Sequence, residues 1–285
     1  MKSADKKLTR YVEKGHKKVD GWLSEIAAHI IVRLAGIQQE KNICGPVCEI
    51  GVHHGKSFIL LHLLTGNNEL SVAWDLFDER QAENVDASGC GNKKIFIKNL
   101  RNHGCDLKRI NIYTENSMNL TEAGVLQECG GKVRMFSIDG SHTSEATYHD
   151  MLLAANTILP GGLIILDDFF NFTFPAVAEG ACKLMTEGKV KLFPVVIAGN
   201  KFIFTNEKEI AACYQDGLMT FGGHRFIKGK TIVFGKDVLT IRYNDIPIIS
   251  YLITTNLWKS IRAGMIGILV RNIYYNINRF IRRFT

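Results

Sequence analysis

A change of repeat along the chain limits the fold more than any single motif. From position 47 onward, short apolar runs at 47–50, 70–74, 110–113, 133–138, 163–166, 192–197 and 202–204 alternate with stretches of helical spacing at 57–64, 144–158 and 176–185. The runs are too short for helices and too continuously apolar for strands with one wet face, so they read as strands buried on both sides. Such strands alternating with amphipathic helices predict an α/β fold on a doubly wound, mostly parallel, seven-stranded sheet. Pro194 and the Gly199-Asn200 link between the last two runs predict a hairpin, which makes one edge antiparallel.

The ends of the chain differ from this middle. Trp22, Leu23, Ile26, Ile30, Ile31 and Leu34 recur at helical spacing and stop at Gly36, which predicts an N-terminal helix packed on the main domain. Beyond about residue 216, strand-like pieces at 231–234 and 238–243 precede a basic tail. The expected organisation is a helical segment over 1–42, the α/β domain over 43–215, a short β appendage over 216–250 and an amphipathic tail over 251–285.

With 285 residues, 46% of them hydrophobic and 22% charged, the chain can bury a core unaided and is neither disordered nor of low complexity. Its seven cysteines are odd in number and form no Cys-x-x-Cys pair, which excludes a zinc ribbon and disfavours a disulfide scaffold. A reducing, cytoplasmic setting is expected. Residues 1–20 hold seven Lys/Arg and three acids with no long apolar run, unlike a secretory signal. The net charge of +7 is polarised: residues 246–285 carry Lys259, Arg262, Arg271, Arg279, Arg282 and Arg283 with no acid, and the body between the two basic ends is mildly acidic. No nucleic-acid module accompanies those ends, so no nucleic-acid partner is expected. From Trp258 onward the tail's longest uncharged run, 263–270, is far short of a membrane span. It suits either the interface of an anionic bilayer, or packing on the body or on a second subunit in a homo-oligomer.

The segment Val47-Cys48-Glu49-Ile50-Gly51-Val52-His53-His54-Gly55-Lys56-Ser57 reads as a strand, a glycine turn and a helix start. Such a turn lets backbone approach a ligand closely. A dinucleotide fingerprint fails, because Val52-His53 stands where its second glycine belongs. Gly55-Lys56-Ser57 imitates the end of a phosphate-binding P-loop, but Gly51 and Gly55 enclose three residues where that loop needs four. The segment Glu49-x-Gly51-x-x-x-Gly55-x-Ser57 instead resembles the first motif of the class I S-adenosylmethionine-dependent methyltransferases, whose fold is Rossmann-like. The resemblance implies that Glu49, Gly51, Gly55 and Ser57 line the methionine part of that cofactor, that Asp75 holds the ribose, and that Asn116 and Ser117 meet the adenine. Turn chemistry alone also accounts for Asp75 or Asn116 taken singly.

Asp139 ends the run at 133–138, and Asp167 and Asp168 end the run at 163–166. In an open α/β sheet the crevice lies beyond the carboxyl ends of the strands, so three carboxylates should converge there. Their repulsion calls for a hard cation such as magnesium. The alternative is that Asp139 merely caps the next helix. His142 lies three residues on, where a proton acceptor near neutrality is useful. Asp139-Gly140-Ser141-His142 with Asp167-Asp168 resembles the metal-dependent sugar O-methyltransferases of the macrocin and mycinamicin type, as do Asp75-Leu76-Phe77-Asp78 and Asn84-Val85-Asp86-x-Ser88-Gly89-x-Gly91 over roughly 43–205. The resemblance implies Mg2+ on Asp139, Asp167 and Asp168, His142 as base with Asp139 beside it, and a sugar or glycan acceptor, lipid-linked if the tail meets a membrane. A phenol or other vicinal diol is the alternative acceptor, and a P-loop-like hydrolase or a non-catalytic binding protein the alternative class.

Overall fold

The computed structural model describes residues 3–244. The described residues divide into two units, 3–221 with 228–242, and 222–227 with 243–244. The described part of the second is a 3-10 turn, Gly223–Arg225, and the rings of Phe226 and Tyr243 5.4 Å apart. The basic tail lies outside the described residues. Among the described residues no helix is long and apolar enough to cross a membrane.

Helix α1 (Ser3–Arg10) runs through two short irregular turns to α2 (Glu25–Glu40). Ser24 starts α2 by accepting the Ala27 N–H, and Ile26, Ile30, Ile31, Leu34 and Ile37 form its buried stripe. The alternating core follows: β1 (Val47–Ile50), α3 (Lys56–Leu63), β2 (Ser71–Asp75), α4 (Lys93–Asn102), β3 (Ile110–Thr114), α5 (Glu122–Cys129), β4 (Val133–Ile138), α6 (Ser144–Thr157), β5 (Ile158–Leu166), α7 (Pro175–Glu187), β6 (Phe193–Ala198), β7 (Lys201–Thr205) and α8 (Lys208–Met219). Side-chain caps mark the helix starts: Asn92 for α4, Thr121 for α5 and Thr143 for α6. Pro175 takes the first turn of α7, where its missing N–H costs nothing.

The sheet order is β3-β2-β1-β4-β5-β7-β6-β9-β8, with β8 (Phe226–Val233) and β9 (Lys236–Tyr243) completing it. It has nine strands, a correction to the seven expected. The two pieces read as an appendage extend the same sheet, because β9 pairs in parallel with β6 through Val196 and Leu239. That pairing covers the edge β6 would otherwise expose and buries Val238, Leu239 and Ile241. The antiparallel hairpin is present, but β7 lies inside the sheet between β5 and β6.

The strand order reverses at β1 and β4, which run in parallel with Ile50 opposite Ile138. Beyond their carboxyl ends the chain departs to opposite sides, leaving the crevice that this class of sheet offers a ligand. The core beneath holds Trp74, stacked near Tyr113 and Phe136 at 6.4 and 6.1 Å.

Candidate functional site

A cavity of about 640 Å³ opens above the carboxyl ends of β1 to β5. Gly51 takes φ +79°, and a Cβ there would lie 1.8 Å from the Asp139 carbonyl oxygen, so the ends of β1 and β4 can meet only over a glycine. The contact brings Gly51 and Asp139 to one wall of the cavity. Gly55, at φ +90°, begins α3 and faces elsewhere, since a Cβ on it would sit 2.7 Å from the Phe96 ring.

Glu49, Gly55 and Ser57 do not line the cavity. Glu49 lies beneath its floor, almost wholly buried, and accepts from Ser137 Oγ at 2.9 Å. Burial pushes its carboxyl up to about 7, against the attraction of Lys201 and the hydroxyls of Ser137 and Ser57. Asp75, at the end of β2, does line the cavity. Its Oδ2 accepts from the His53 N–H at 2.8 Å and its Oδ1 from the Phe77 N–H at 2.6 Å, so the acid also fixes the glycine loop. Burial raises its pKa and these amides oppose the rise. Asn116 and Ser117 reach the cavity after β3, where Asn116 Oδ1 accepts from Met118 N and Ser117 Oγ donates to Asp150.

Asp139, His142 and Asp168 come together, each offering an atom within 4.8 Å of the others. Capping does not explain Asp139, because Thr143 caps α6 through the Ala146 N–H. Asp139 and Asp168 line the cavity, whereas Asp167 is buried behind them. Its carboxylate forms a close ion pair with the fully buried Lys201, whose ammonium is also 3.7 Å from Asp139. Part of the repulsion expected among the three acids is therefore balanced by a lysine of this chain. Burial and the charge of Asp139 push the Asp167 carboxyl well up, with Lys201 opposing. Burial also raises Asp139, again opposed by Lys201.

His142 is held from both sides. Its Nδ1 is 2.9 Å from Asp86 Oδ2 and 2.9 Å from Ser88 Oγ, and its Nε2 is 3.2 Å from Asp168 Oδ2. The His142 N–H donates to the same Asp86 carboxylate at 2.6 Å, and the Phe174 ring stacks on the imidazole at 3.8 Å. Burial disfavours the imidazolium, but hydrogen bonds to Asp168 and Asp86 outweigh it and raise the pKa. Burial likewise works upward on Asp86, yet Ser88 and His142 bring it down to about 2. Asp168, at φ +58°, is lowered by His142 and Asn171 despite its burial. Between two ionised carboxylates both ring nitrogens act as donors and the imidazolium is favoured, so Nε2 can take a proton only once Asp168 releases it.

Sequence reasoning gave no role to Asp86, Ser88 or Lys201. The first two stood only inside a resembling pattern. The signal for Lys201 was a single charge heading the apolar strand Lys201–Thr205.

The cavity wall includes Asp75, Glu83, Glu115, Asp139, Glu145 and Asp168, and no lysine or arginine among the described residues. An acidic wall favours a cationic or neutral occupant over a phosphorylated one.

Residues 48–169 match a family described as "Methyltransferase domain". No curated protein sequence matches this chain. Among solved structures, the O-methyltransferase NovP superposes with a TM-score of 0.54 at 13% identity, covering 64% of this chain and 81% of its own. TomG, an O-methyltransferase from Streptomyces achromogenes involved in tomaymycin synthesis, gives 0.46 at 14% over 72% and 89%. CalS11, a TDP-rhamnose 3'-O-methyltransferase, gives 0.46 at 14% over 71% and 92%. The NovP likeness bears on the fold alone, and residues 48–169 of this chain are similar to a methyltransferase domain.

Proposed function

We propose that the enzyme methylates a hydroxyl oxygen of a neutral sugar or glycan, with His142 as general base. The observation that carries this reading is the Asp86–His142–Asp168 array on the wall of a cavity bounded by the glycine turn and Asp75. The NovP likeness and the resemblance to sugar O-methyltransferases support transfer to oxygen. The amide side chains of Gln81, Asn84, Asn171 and Asn200 along the wall suit sugar hydroxyls, and its carboxylates discourage phosphates.

S-adenosylmethionine supplies a methyl already activated by its sulfonium. The protein's tasks are positioning and deprotonation. Once Asp168 releases Nε2, His142 receives the acceptor's proton there and Asp86 steadies the resulting imidazolium at Nδ1. Bound beside the acceptor, the cofactor would give its methyl to the freed oxygen and keep the carbon–sulfur electron pair on sulfur as S-adenosylhomocysteine. The donor set of Asp139 and Asp168 fits a hard divalent cation, with Asp167 engaged behind them by Lys201. Held there, such an ion would lower the pKa of a bound hydroxyl.

The test is methyl transfer from labelled cofactor to neutral methyl glycosides and to nucleotide sugars, with magnesium or chelator. Neutral acceptors should be methylated, and His142→Ala should lose at least about a hundredfold in rate while S-adenosylhomocysteine affinity stays unchanged. Full activity of His142→Ala would remove its role as base. Exclusive use of phosphorylated acceptors would remove the neutral-acceptor assignment, and full activity after chelation would remove the metal.

A further inference from the structure

A second group of ligating side chains lies across the glycine turn from the catalytic array. Asp20 comes from the segment between α1 and α2, and His53 and His54 come from the turn itself; each offers an atom within 4.8 Å of the others. The His53 and His54 rings overlap with centroids 3.8 Å apart and planes tilted by 35°. His53 Nδ1 and both ring nitrogens of His54 are sealed from water and have no hydrogen-bond partner, His54 Nδ1 facing only the Asp20 carboxylate. Buried imidazole nitrogens without partners are uncommon, because each gives up its hydration for nothing.

We propose that Asp20, His53 and His54 bind a transition-metal ion of the zinc class, which ties the N-terminal segment to the cofactor turn. Two imidazoles and one carboxylate are the donors such an ion prefers, and they are a poor set for magnesium. The spacing agrees. Two ligands about 2.05 Å from a tetrahedral ion are separated by about 3.3 Å, and His54 Nδ1 lies 3.3 Å from Asp20 Oδ2. The Asp20 side chain is 80% exposed, so it can close on an ion without disturbing the core. His53 takes φ +49°, an uncommon backbone state for a residue other than glycine, and in it the histidine pair is presented toward Asp20.

The tie would have a structural consequence. The segment before α2 already rests on the turn through Lys56 Nζ, which donates to the Gly21 carbonyl at 2.7 Å, and Tyr11 OH, which donates to the Lys56 carbonyl at 2.7 Å. Trp22, two residues beyond Asp20, contacts the His53 ring at 5.5 Å, and both line the cavity. An ion joining Asp20 to the turn would hold Trp22 at the cavity wall.

Zinc binding to the full chain in excess magnesium, followed by equilibrium dialysis, tests the site. One equivalent should bind, with affinity at least tenfold weaker in His54→Gln and in Asp20→Asn, and unaltered in Asp168→Asn. Trypsin cleavage after Lys17 and Lys18 should slow when zinc is added to the wild type, and not in Asp20→Asn. Circular dichroism and S-adenosylhomocysteine affinity report whether the variants remain folded. Should His54→Gln unfold, Asp20→Asn, at an exposed position, still decides the matter. Zinc held equally by Asp20→Asn, as it would be by cysteine thiolates, overturns the site. Zinc that binds without slowing cleavage overturns the tie.

Discussion

Replacing Lys201 with methionine should expose how the acidic rim is balanced. Lys201 is fully buried, pairs closely with Asp167, and sits 3.7 Å from Asp139, with Glu49 also within its field. Burial works against its charge, but the attraction of Asp167 and Asp139 prevails and raises its pKa. Methionine keeps the length and removes the charge, leaving Asp167 with neither water nor a counter-ion. Breaking a buried pair on one side costs about 3–5 kcal/mol, a large share of the roughly 5–15 kcal/mol that holds a domain folded. Adding Asp167→Asn removes the stranded charge, so the double variant should recover about 1–3 kcal/mol of that loss. The pH dependence has a definite sign. Without Lys201 the folded Asp167 pKa lies further above its unfolded value of about 3.9, so the native state binds the extra proton, and stability falls as pH rises through the folded pKa. The deficit of Lys201→Met should thus be larger at pH 8 than at pH 5. Urea denaturation of wild type, both single variants and the double variant measures each quantity. A Lys201→Met protein within about 1 kcal/mol of wild type at pH 8, or a double variant no more stable than Lys201→Met, would refute the reasoning.

Two further outcomes follow from single side chains. His62 lies buried with Nδ1 2.8 Å from Ser71 Oγ and Nε2 accepting the Asp106 N–H at 3.1 Å, and burial, then Arg109, bring its pKa down to about 4. A folded pKa below the unfolded one of about 6.5 gives stability that is complete above the unfolded value and is lost as pH falls toward 4, up to about 3 kcal/mol; His62→Gln should flatten urea midpoints over this window, and an unchanged slope would reject the assignment. Asp75→Asn should weaken S-adenosylhomocysteine binding by about ten- to a hundredfold in calorimetry, the size of a hydrogen bond to a charged group, and an unaltered affinity in a folded variant would take Asp75 out of the cofactor site.

The sequence made legible what local chemistry writes into neighbouring residues. The runs at 47–50 and 133–138 coincide with β1 and β4 because each stops at a glycine or an acid that cannot continue a buried strand. Strand β5 begins earlier than its apolar run, at Ile158, because Pro160-Gly161-Gly162 reads as a turn yet is absorbed where the register between β4 and β5 shifts. Helix α4 escaped notice because its buried residues, Phe96 and Leu100, are only two among charged neighbours. The strand-end rule brought Asp75, Asp139 and Asp168 to the cavity, since topology alone determines where strand ends point. Their partners depended on pairing between distant segments. Asp86 reaches His142 from the loop before α4, and no local pattern specifies that approach. Lys201 is different, because the hairpin is legible in the sequence and lacks only its place inside the sheet and its register against β5. Leu166 pairs with Phe202 in antiparallel fashion, so the next position outward sets Asp167 against Lys201. The convergence of like charges was thus visible in the sequence, while the cation that balances them became visible only with that register.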